Sequence, residues 1–330
     1  MVRFTILRVL NYLVLAFVAT SITYLLAASL MHPEEVLFPP IATKPVPAAT
    51  AQAYLDVRNV NPDTPLFQRY ATWLGGLLHG DLGVTTGTDK SMVPVLGVLE
   101  DRVPISLRLV VIGTILGVVL GILLGMISAV RRNSIGDVAA TVFSFVLLSL
   151  PTVVVILLVQ QVNQLVINTT GYGLPAIGAV DPTAAEGSWA SISYQIQALV
   201  MPTIVLALFG MASYSRYMKV TTLDVLGSDY LRTARAKGLT RGRAMRRHGL
   251  RMALIPMGQY FAFAVGAAFT GSLFVELMFN WHGIGKFAVQ ALQHADVNGT
   301  AGVVLYSAIL TLLSATFADI LQGVLDPRIR

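Results

Sequence analysis

Ten of the chain's 23 Lys and Arg stand in the 36 residues 216–251, RYMKVTTLDVLGSDYLRTARAKGLTRGRAMRRHGLR, opposed only by Asp224 and Asp229. The whole chain has 12% charged residues and a mean hydropathy of +0.70. Such a block can do two things. It fixes the side of a membrane it faces, and it presents cationic donors to an acidic partner. The other polar residues that could do chemistry sit within or beside apolar runs. Glu276, in Val275-Glu276-Leu277, and Asp319 lie inside apolar stretches, where a charge is expensive and needs a reason. Gln160, Gln161, Asn163 and Gln164 close another such stretch. Glu276, Gln160, Gln161 and Asn163 are candidates for a gate or pathway. Each also lies near a predicted membrane end, where a structural hydrogen bond would account for it.

Catalytic patterns are missing from the sequence. A phosphate loop needs G-x-x-x-x-G-K-[ST], so that backbone amides cradle phosphate and the Lys reaches it. Gly285-Lys286 lacks the upstream Gly, and Lys90-Ser91 lacks both glycines. There is no H-E-x-x-H and no Gly-x-Ser-x-Gly. His32, His79, His248, His282 and His294 are scattered, so no metal site is expected. With no Cys, disulfides and thiolate chemistry are excluded. No cofactor is expected in this chain. Any ATP and Mg²⁺ that power it would be bound by another subunit.

The elements that must position these residues are membrane spans. Hydrophobic residues make up 55% of the chain, against about 45–50% in soluble domains, and they fall in long runs. The sequence predicts an all-α polytopic membrane protein with six transmembrane helices, at about 9–30, 104–130, 138–163, 197–218, 254–279 and 301–324. The first run is too long for a signal peptide, whose apolar core is about 7–15 residues, and reads as a retained helix. A cytoplasmic N-terminus puts 16 of the 23 Lys and Arg on the inner side. The C-terminus is then cytoplasmic too. Because the positive charge lies between spans, it argues against nucleic-acid binding.

Residues 1–30 thus form an N-terminal helix, 31–103 a sizeable extracytoplasmic segment, 104–324 a five-helix membrane domain with a cytoplasmic loop at 219–253, and 325–330 a tail. The outer segment opens with a Pro- and Ala-rich stretch that cannot run as one long helix. An amphipathic piece follows at 67–78, and then a Gly-containing turn at 80–87. Gly113, Gly117, Gly121 and Gly125 recur every four residues on the second span. They make a small-residue stripe on which another helix can pack closely, either within the chain or at a dimer seam.

The basic loop has its own punctuation. Ser228-Asp229 can cap a helix over 230–237, which Gly238 ends. A second helix is expected from Thr240 to Leu254, with a stop near Pro256. Two short helices make a compact, positively charged knob, longer than a mere reversal of direction needs.

Within this loop, Thr233-Ala234-Arg235-Ala236-Lys237-Gly238, then nine residues, His248 and later Pro256, resembles the cytoplasmic EAA loop of ABC importer permeases. The oligopeptide/dipeptide branch is the most similar. Three further segments resemble that branch. They are Gly80-Asp81-Leu82-Gly83 followed by Arg102-Val103-Pro104, the stretch from Val275-Glu276 to Phe279-Asn280-Trp281-His282-Gly283-Ile284-Gly285, and Leu325-Asp326-Pro327-Arg328. The resemblance covers nearly the whole chain except about 38–62. His282 stands where many members have Pro, Gly249 stands where Ala is common, and the outer insert is longer than usual.

The resemblance implies a type I ABC importer permease fold in the cytoplasmic membrane. It implies a heterodimer with a homologous second permease, two ABC ATPase subunits beneath, and an extracytoplasmic peptide-binding protein that delivers a di- or oligopeptide. It also implies that residues 229–238 are the ATPase-coupling helix, with Asp229, Tyr230, Thr233, Ala234, Arg235, Ala236, Lys237, Gly238 and His248 at that contact. The chain would then be a non-catalytic transport subunit. Related systems carry nickel, haem or other small solutes, so the substrate stays open at this stage. An ion-coupled secondary transporter is the reading from another class. It would need mid-span carboxylates and an inverted repeat, and the sequence offers neither.

Overall fold

The computed structural model describes residues 2–38, 46–86, 92–178, 187–245 and 249–325. Among them the chain is helical, with one isolated antiparallel bridge between Val84 and Pro94. The helices are α1 (Val2–Leu30), α2 (Pro33–Leu37), α3 (Ala48–Val57), α4 (Leu66–Leu78), α5 (Val95–Val130), α6 (Ile135–Ser149), α7 (Thr152–Thr170), α8 (Trp189–Gly227), α9 (Asp229–Ala236), α10 (Arg241–Ala244), α11 (Leu250–Met278), α12 (Ile284–Gln293) and α13 (Val297–Leu325). Among the described residues, five stretches are long and apolar enough to cross a bilayer: Val9–Leu30, Val95–Val130, Thr152–Thr170, Trp189–Gly227 and Val297–Phe317. The protein is therefore a multi-pass membrane protein. The 29-residue α11 is also strongly apolar in sequence.

Four boundaries differ from the sequence expectation. The span expected at 138–163 is broken at Leu150-Pro151, where α6 ends and α7 begins. Pro151 has no amide to continue the ladder, and it forces Leu150 into an extended conformation (φ −81°, ψ 137°). The Ser149 hydroxyl donates to the Val146 carbonyl at 2.7 Å, which gives the end of α6 a local alternative to helix. At 15 residues α6 is about 22 Å long, short of a ~30 Å bilayer core. By contrast α5 begins at Val95 and runs through Pro104, because Val95 and Leu99 bury against Ile284, Phe287 and Val303. Likewise α8 starts at Trp189, where the Ser188 hydroxyl accepts from the Ser191 amide at 3.2 Å, and runs through Pro202. The stop expected near Pro256 does not form. Instead α11 begins at Leu250 and continues to Met278. A proline in the second turn removes one hydrogen bond, while Ala253 and Met257 on either side of it are buried against Val118, Tyr214 and Met218.

The chain divides into two compact units, one from 107–281 with 313–330, the other from 2–106 with 282–312. In the first, α8 is the central element, and α6, α7, α11 and the glycine stripe of α5 pack on it. Leu147, Val155 and Ala212 make one cluster, and Val118, Tyr214, Met218, Ala253 and Met257 another. In the second, α4 lies against α1 through an aromatic core. The rings of Tyr24 and Trp73 stack at 4.5 Å, and Tyr70 tilts against both. Asn59, in a left-handed turn (φ 56°), donates to the Tyr24 hydroxyl and the Arg69 carbonyl. Two arginines are built into this core. Arg69 donates to the Ala28 carbonyl at 3.2 Å, and Arg58 lies 3.3 Å from the Tyr54 ring centre while donating to the Tyr54 carbonyl.

Candidate functional site

The segment from the end of α8 through α10 places most of the basic block. Ser228 is a single extended residue between α8 and α9 (φ −74°, ψ 148°). Its hydroxyl donates back to the Val225 carbonyl at 2.6 Å and does not cap α9. The sequence expectation of a Ser228 cap is corrected here: one hydroxyl serves the closing turn of the preceding helix instead. Asp229 remains in the first turn of α9, where a carboxylate meets the positive end of the helix dipole. Its 3.5 Å pairing with Arg232 is exposed on both sides and adds little.

Leu231 anchors α9, at 2% exposure, and Ala234 is half-buried. Tyr230, Thr233, Arg235, Ala236 and Lys237 all face outward. The helix ends in a Schellman pattern, with the Gly238 amide on the Arg235 carbonyl at 2.9 Å and the Leu239 amide on the Ala234 carbonyl at 3.4 Å. Gly238 has φ +90°, and a Cβ there would meet nothing within 4 Å. Glycine is needed for the backbone alone. The short α10 follows, with Ala244 and Met245 buried. His248 lies outside the described residues, as do Arg246 and Arg247.

Among the described basic side chains of this block, Lys219 turns back into the fold, and the exposed Arg216 lies against a ring of a neighbouring helix. Lys219, on α8, pairs with Asp137 near the start of α6 and donates to the Thr141 hydroxyl at 3.0 Å. Asp137 also accepts from the Ser128 hydroxyl on α5 and from the Asn133 amide at 3.0 Å, and only 5% of it is exposed. One turn further along, the Ser144 and Ser215 hydroxyls meet at 3.3 Å. Arg216 lies 4.2 Å from the centre of the Phe145 ring. Neither Asp137 nor Lys219 stands out in the sequence as a functional residue. The partners are 82 residues apart. The one local signal, a Ser134 cap with Asp137 three residues on, marks a helix start and says nothing of a cation.

On the same helices an apolar cavity of ≈ 640 Å³ is lined by Phe143 and Leu147 of α6, Val155, Val162 and Asn163 of α7, and Met201 of α8, among others. Of the four gate or pathway candidates only Asn163 lines it. Its amide is already committed, donating to the Leu174 carbonyl at 3.1 Å and accepting from the Leu174 amide at 2.9 Å. Gln160 is half-buried and Gln161 exposed. Glu276 is fully buried on α11, accepts from the Ser272 hydroxyl at 3.2 Å, and takes the Trp281 amide on its own carbonyl at 2.7 Å. Asn280 (φ 51°) makes that helix stop possible. The Asp319 side chain lies outside the described residues.

The glycine stripe is placed without ambiguity. A Cβ on Gly113 would come 2.8 Å from the Cβ of Leu206, and one on Gly117 would come 3.0 Å from the Cα of Gly210. At Gly121 it would come 2.6 Å from the Cβ of Tyr214, and at Gly125 it would strike the Ser215 carbonyl. All four glycines therefore face α8 of the same chain.

Beyond α11, Arg102 donates to Gln290 at 3.2 Å and lies 5.1 Å from the Phe287 ring centre. Burial, then the nearby Lys286 and Arg102, hold the His282 imidazole below its usual pKa. Burial and Arg102 do the same to Lys286. Asp296 accepts from the Gly299 amide at 2.8 Å, as the cap of α13. Burial pushes its carboxyl up, against the pull of the Gly299 and Thr86 amides.

Long apolar helices, with the exposed α9 between two of them, define a polytopic membrane protein. Residues 121–330 match the family model described as "Binding-protein-dependent transport system inner membrane component". The chain is 39% identical over 336 residues to the oligopeptide transport system permease protein OppB of Mycobacterium tuberculosis, covering 100% of this chain and 99% of that one. It is 34% identical to the oligopeptide transport system permease protein AppB of Bacillus subtilis, over 80% of this chain and 81% of that one. It is 32% identical to the dipeptide transport system permease protein DppB of Escherichia coli, over 81% and 82%. The chain belongs to the family of binding-protein-dependent transport system inner membrane components. As such it is a non-catalytic component of an import system.

Proposed function

We propose that this chain is the permease subunit of an ATP-driven peptide importer, with six spans and with both termini and the 219–253 loop in the cytoplasm. Its nearly full-length likeness to an oligopeptide permease supports the substrate class. A homologous second permease completes the pathway, two ATPase subunits bind ATP and Mg²⁺, and an extracytoplasmic binding protein delivers di- or oligopeptide. The 31–103 segment faces that protein.

The observation that carries the coupling assignment is the form of α9. It is a short helix held by one buried side chain, Leu231, with Arg235 and Lys237 exposed and a fixed stop at Gly238. A helix so anchored moves as a rigid body when a partner pushes it, and passes the push to α8. Arg235 and Lys237 meet acids of the ATPase, Ala234 and Ala236 allow close approach, and Asp229, Tyr230 and Thr233 complete the contact with His248.

Gly238→Pro tests the assignment, because proline cannot adopt φ +90° and removes the amide that closes the helix. The reconstituted importer is expected to assemble but to lose ATPase stimulation by peptide-loaded binding protein. Normal stimulation with normal uptake would refute the assignment.

A further inference from the structure

Among the described residues, the cluster around Asp137 ties the root of the α8–α9 segment by an ion pair to α6, one of the helices that wall the apolar cavity. Lys219 stands on the last turns of α8, nine residues before Ser228 and so about 13 Å along the helix from it. Across from it, Asp137 and Thr141 stand on the first turns of α6, and Phe143 and Leu147, further along α6, line the cavity. Ser128 brings the end of α5 to the same carboxylate, and the Asn133 amide brings the α5–α6 turn. Every described polar partner of the Lys219 ammonium is on α6.

The pair differs in kind from the exposed one between Arg232 and Asp229, because the Asp137 side chain is only 5% exposed and that of Lys219 23%. Separating it leaves a carboxylate inside the fold without its cation, which is strongly unfavourable. The two helices therefore move together or not at all at this point. Arg216 on the Phe145 ring and the Ser144 to Ser215 contact repeat the tie one turn away. Beyond Phe145, α6 continues with Val146, Leu147, Leu148 and Ser149, and the Ser149 hydroxyl bonds within its own helix.

We propose that Asp137 and Lys219 form the joint through which displacement of α9 reaches α6, and with it the wall of the α6–α7–α8 cavity. They act as positioning residues for transport: α9 moves α8, and the ion pair makes α6 follow. The inference rests on the assignment of α9 as the coupling element.

The test is made in the complete reconstituted importer, with uptake per ATP hydrolysed as the readout. Asp137→Asn combined with Lys219→Met removes both charges, so no buried charge is left alone. It should assemble and keep its basal ATPase, yet move about tenfold less substrate per ATP. Lys219→Arg, which can still reach the carboxylate, should restore coupled transport. Thr141→Val, which leaves the ion pair intact, should lower the ratio only about twofold and keeps the question open to measurement if the double variant folds poorly. An unchanged ratio in the neutral double variant would overturn the proposal and leave a merely structural pair; so would an unchanged ratio in Thr141→Val should the double variant not fold. If Gly238→Pro uncouples while the double variant does not, only this inference fails. If neither uncouples, the assignment of α9 fails with it.

Discussion

Arg58 and Arg69, in the unit that contains α1 and α4, are 1% and 8% exposed, whereas Arg232 and Arg235 of α9 and Lys237 at its C-cap stand in solvent. The two regions use the same cationic groups in opposite ways. In the aromatic unit the guanidinium is a packing piece: Arg58 lies over the Tyr54 ring and donates to the Tyr54 carbonyl, and Arg69 donates to the Ala28 carbonyl. Arginine suits this work because it is planar and more weakly hydrated than an ammonium. On α9 the charges close nothing inside the fold, and their only described pairing is the weak one to Asp229. A charge with internal partners serves stability. One with none is free to serve a partner molecule. Lys219 stands between these cases, in the basic block by sequence but half-buried and paired with a buried carboxylate.

The comparison predicts a graded series of effects on stability, read as thermal unfolding of the purified chain in detergent and set beside uptake per molecule. The largest belongs to the aromatic core. Trp73→Ala removes the ring stacked on Tyr24 and should cost about 3–5 kcal/mol. Uptake should fall only with the amount of folded protein. Lost uptake at an unchanged melting temperature would erase the distinction between the two regions.

Next is the glycine stripe. Gly121→Leu drives a side chain into Tyr214 and should cost about 1–3 kcal/mol. Gly97→Ala, on the same helix but with nothing within 4 Å, should be neutral or slightly stabilising. If both variants behave alike, the stripe is not a packing face.

A smaller effect appears as a slope against pH. Burial raises the Asp296 pKa above its ordinary 3.8, so the folded chain binds the proton more tightly than the unfolded one. Stability from this group is therefore greatest below 3.8 and falls as pH rises toward the raised value. Asp296→Asn keeps an acceptor for the Gly299 amide and should flatten that part of the profile. A profile that keeps its slope would place the titration elsewhere.

What the sequence made legible was local. The stop of α9 could be read because Gly238 and its two amide bonds lie within six residues. The glycine stripe could be read because four-residue spacing fixes one face, but the identity of the facing helix is a tertiary fact. The break at Pro151 was hidden by continuous apolar composition, which records burial in lipid and not the hydrogen-bond ladder. Pro104, Pro202 and Pro256 show the converse, since each lies inside a helix whose packing outweighs one lost bond. Asp137 and Lys219 could not be paired, because nothing local in either helix encodes an ion pair 82 residues apart. The gate candidates were chosen for polarity within apolar runs. For Asn163 and Glu276 that polarity is used at least partly in bonds that hold a helix to its loop or to its own turn.

The smallest effect on stability should come from α9, and it is the sharpest form of the comparison. Arg235→Gln with Lys237→Gln removes two exposed charges that close no contact in the chain, and such changes usually stay within about 0.5 kcal/mol. Leu231 still seats the helix and Gly238 still ends it. Uptake by the assembled importer should nonetheless fall severely, and the gap to the parent should narrow at higher salt, because salt screens the parent's exposed charge pairs across the interface while the variant has none there to screen. The outcome would be a variant as stable as the parent and inactive, the reverse of Trp73→Ala. Full uptake by a stable double variant would mean that the basic face of α9 only orients the chain in its membrane, and the division between packing charges and partner charges would end at Lys219.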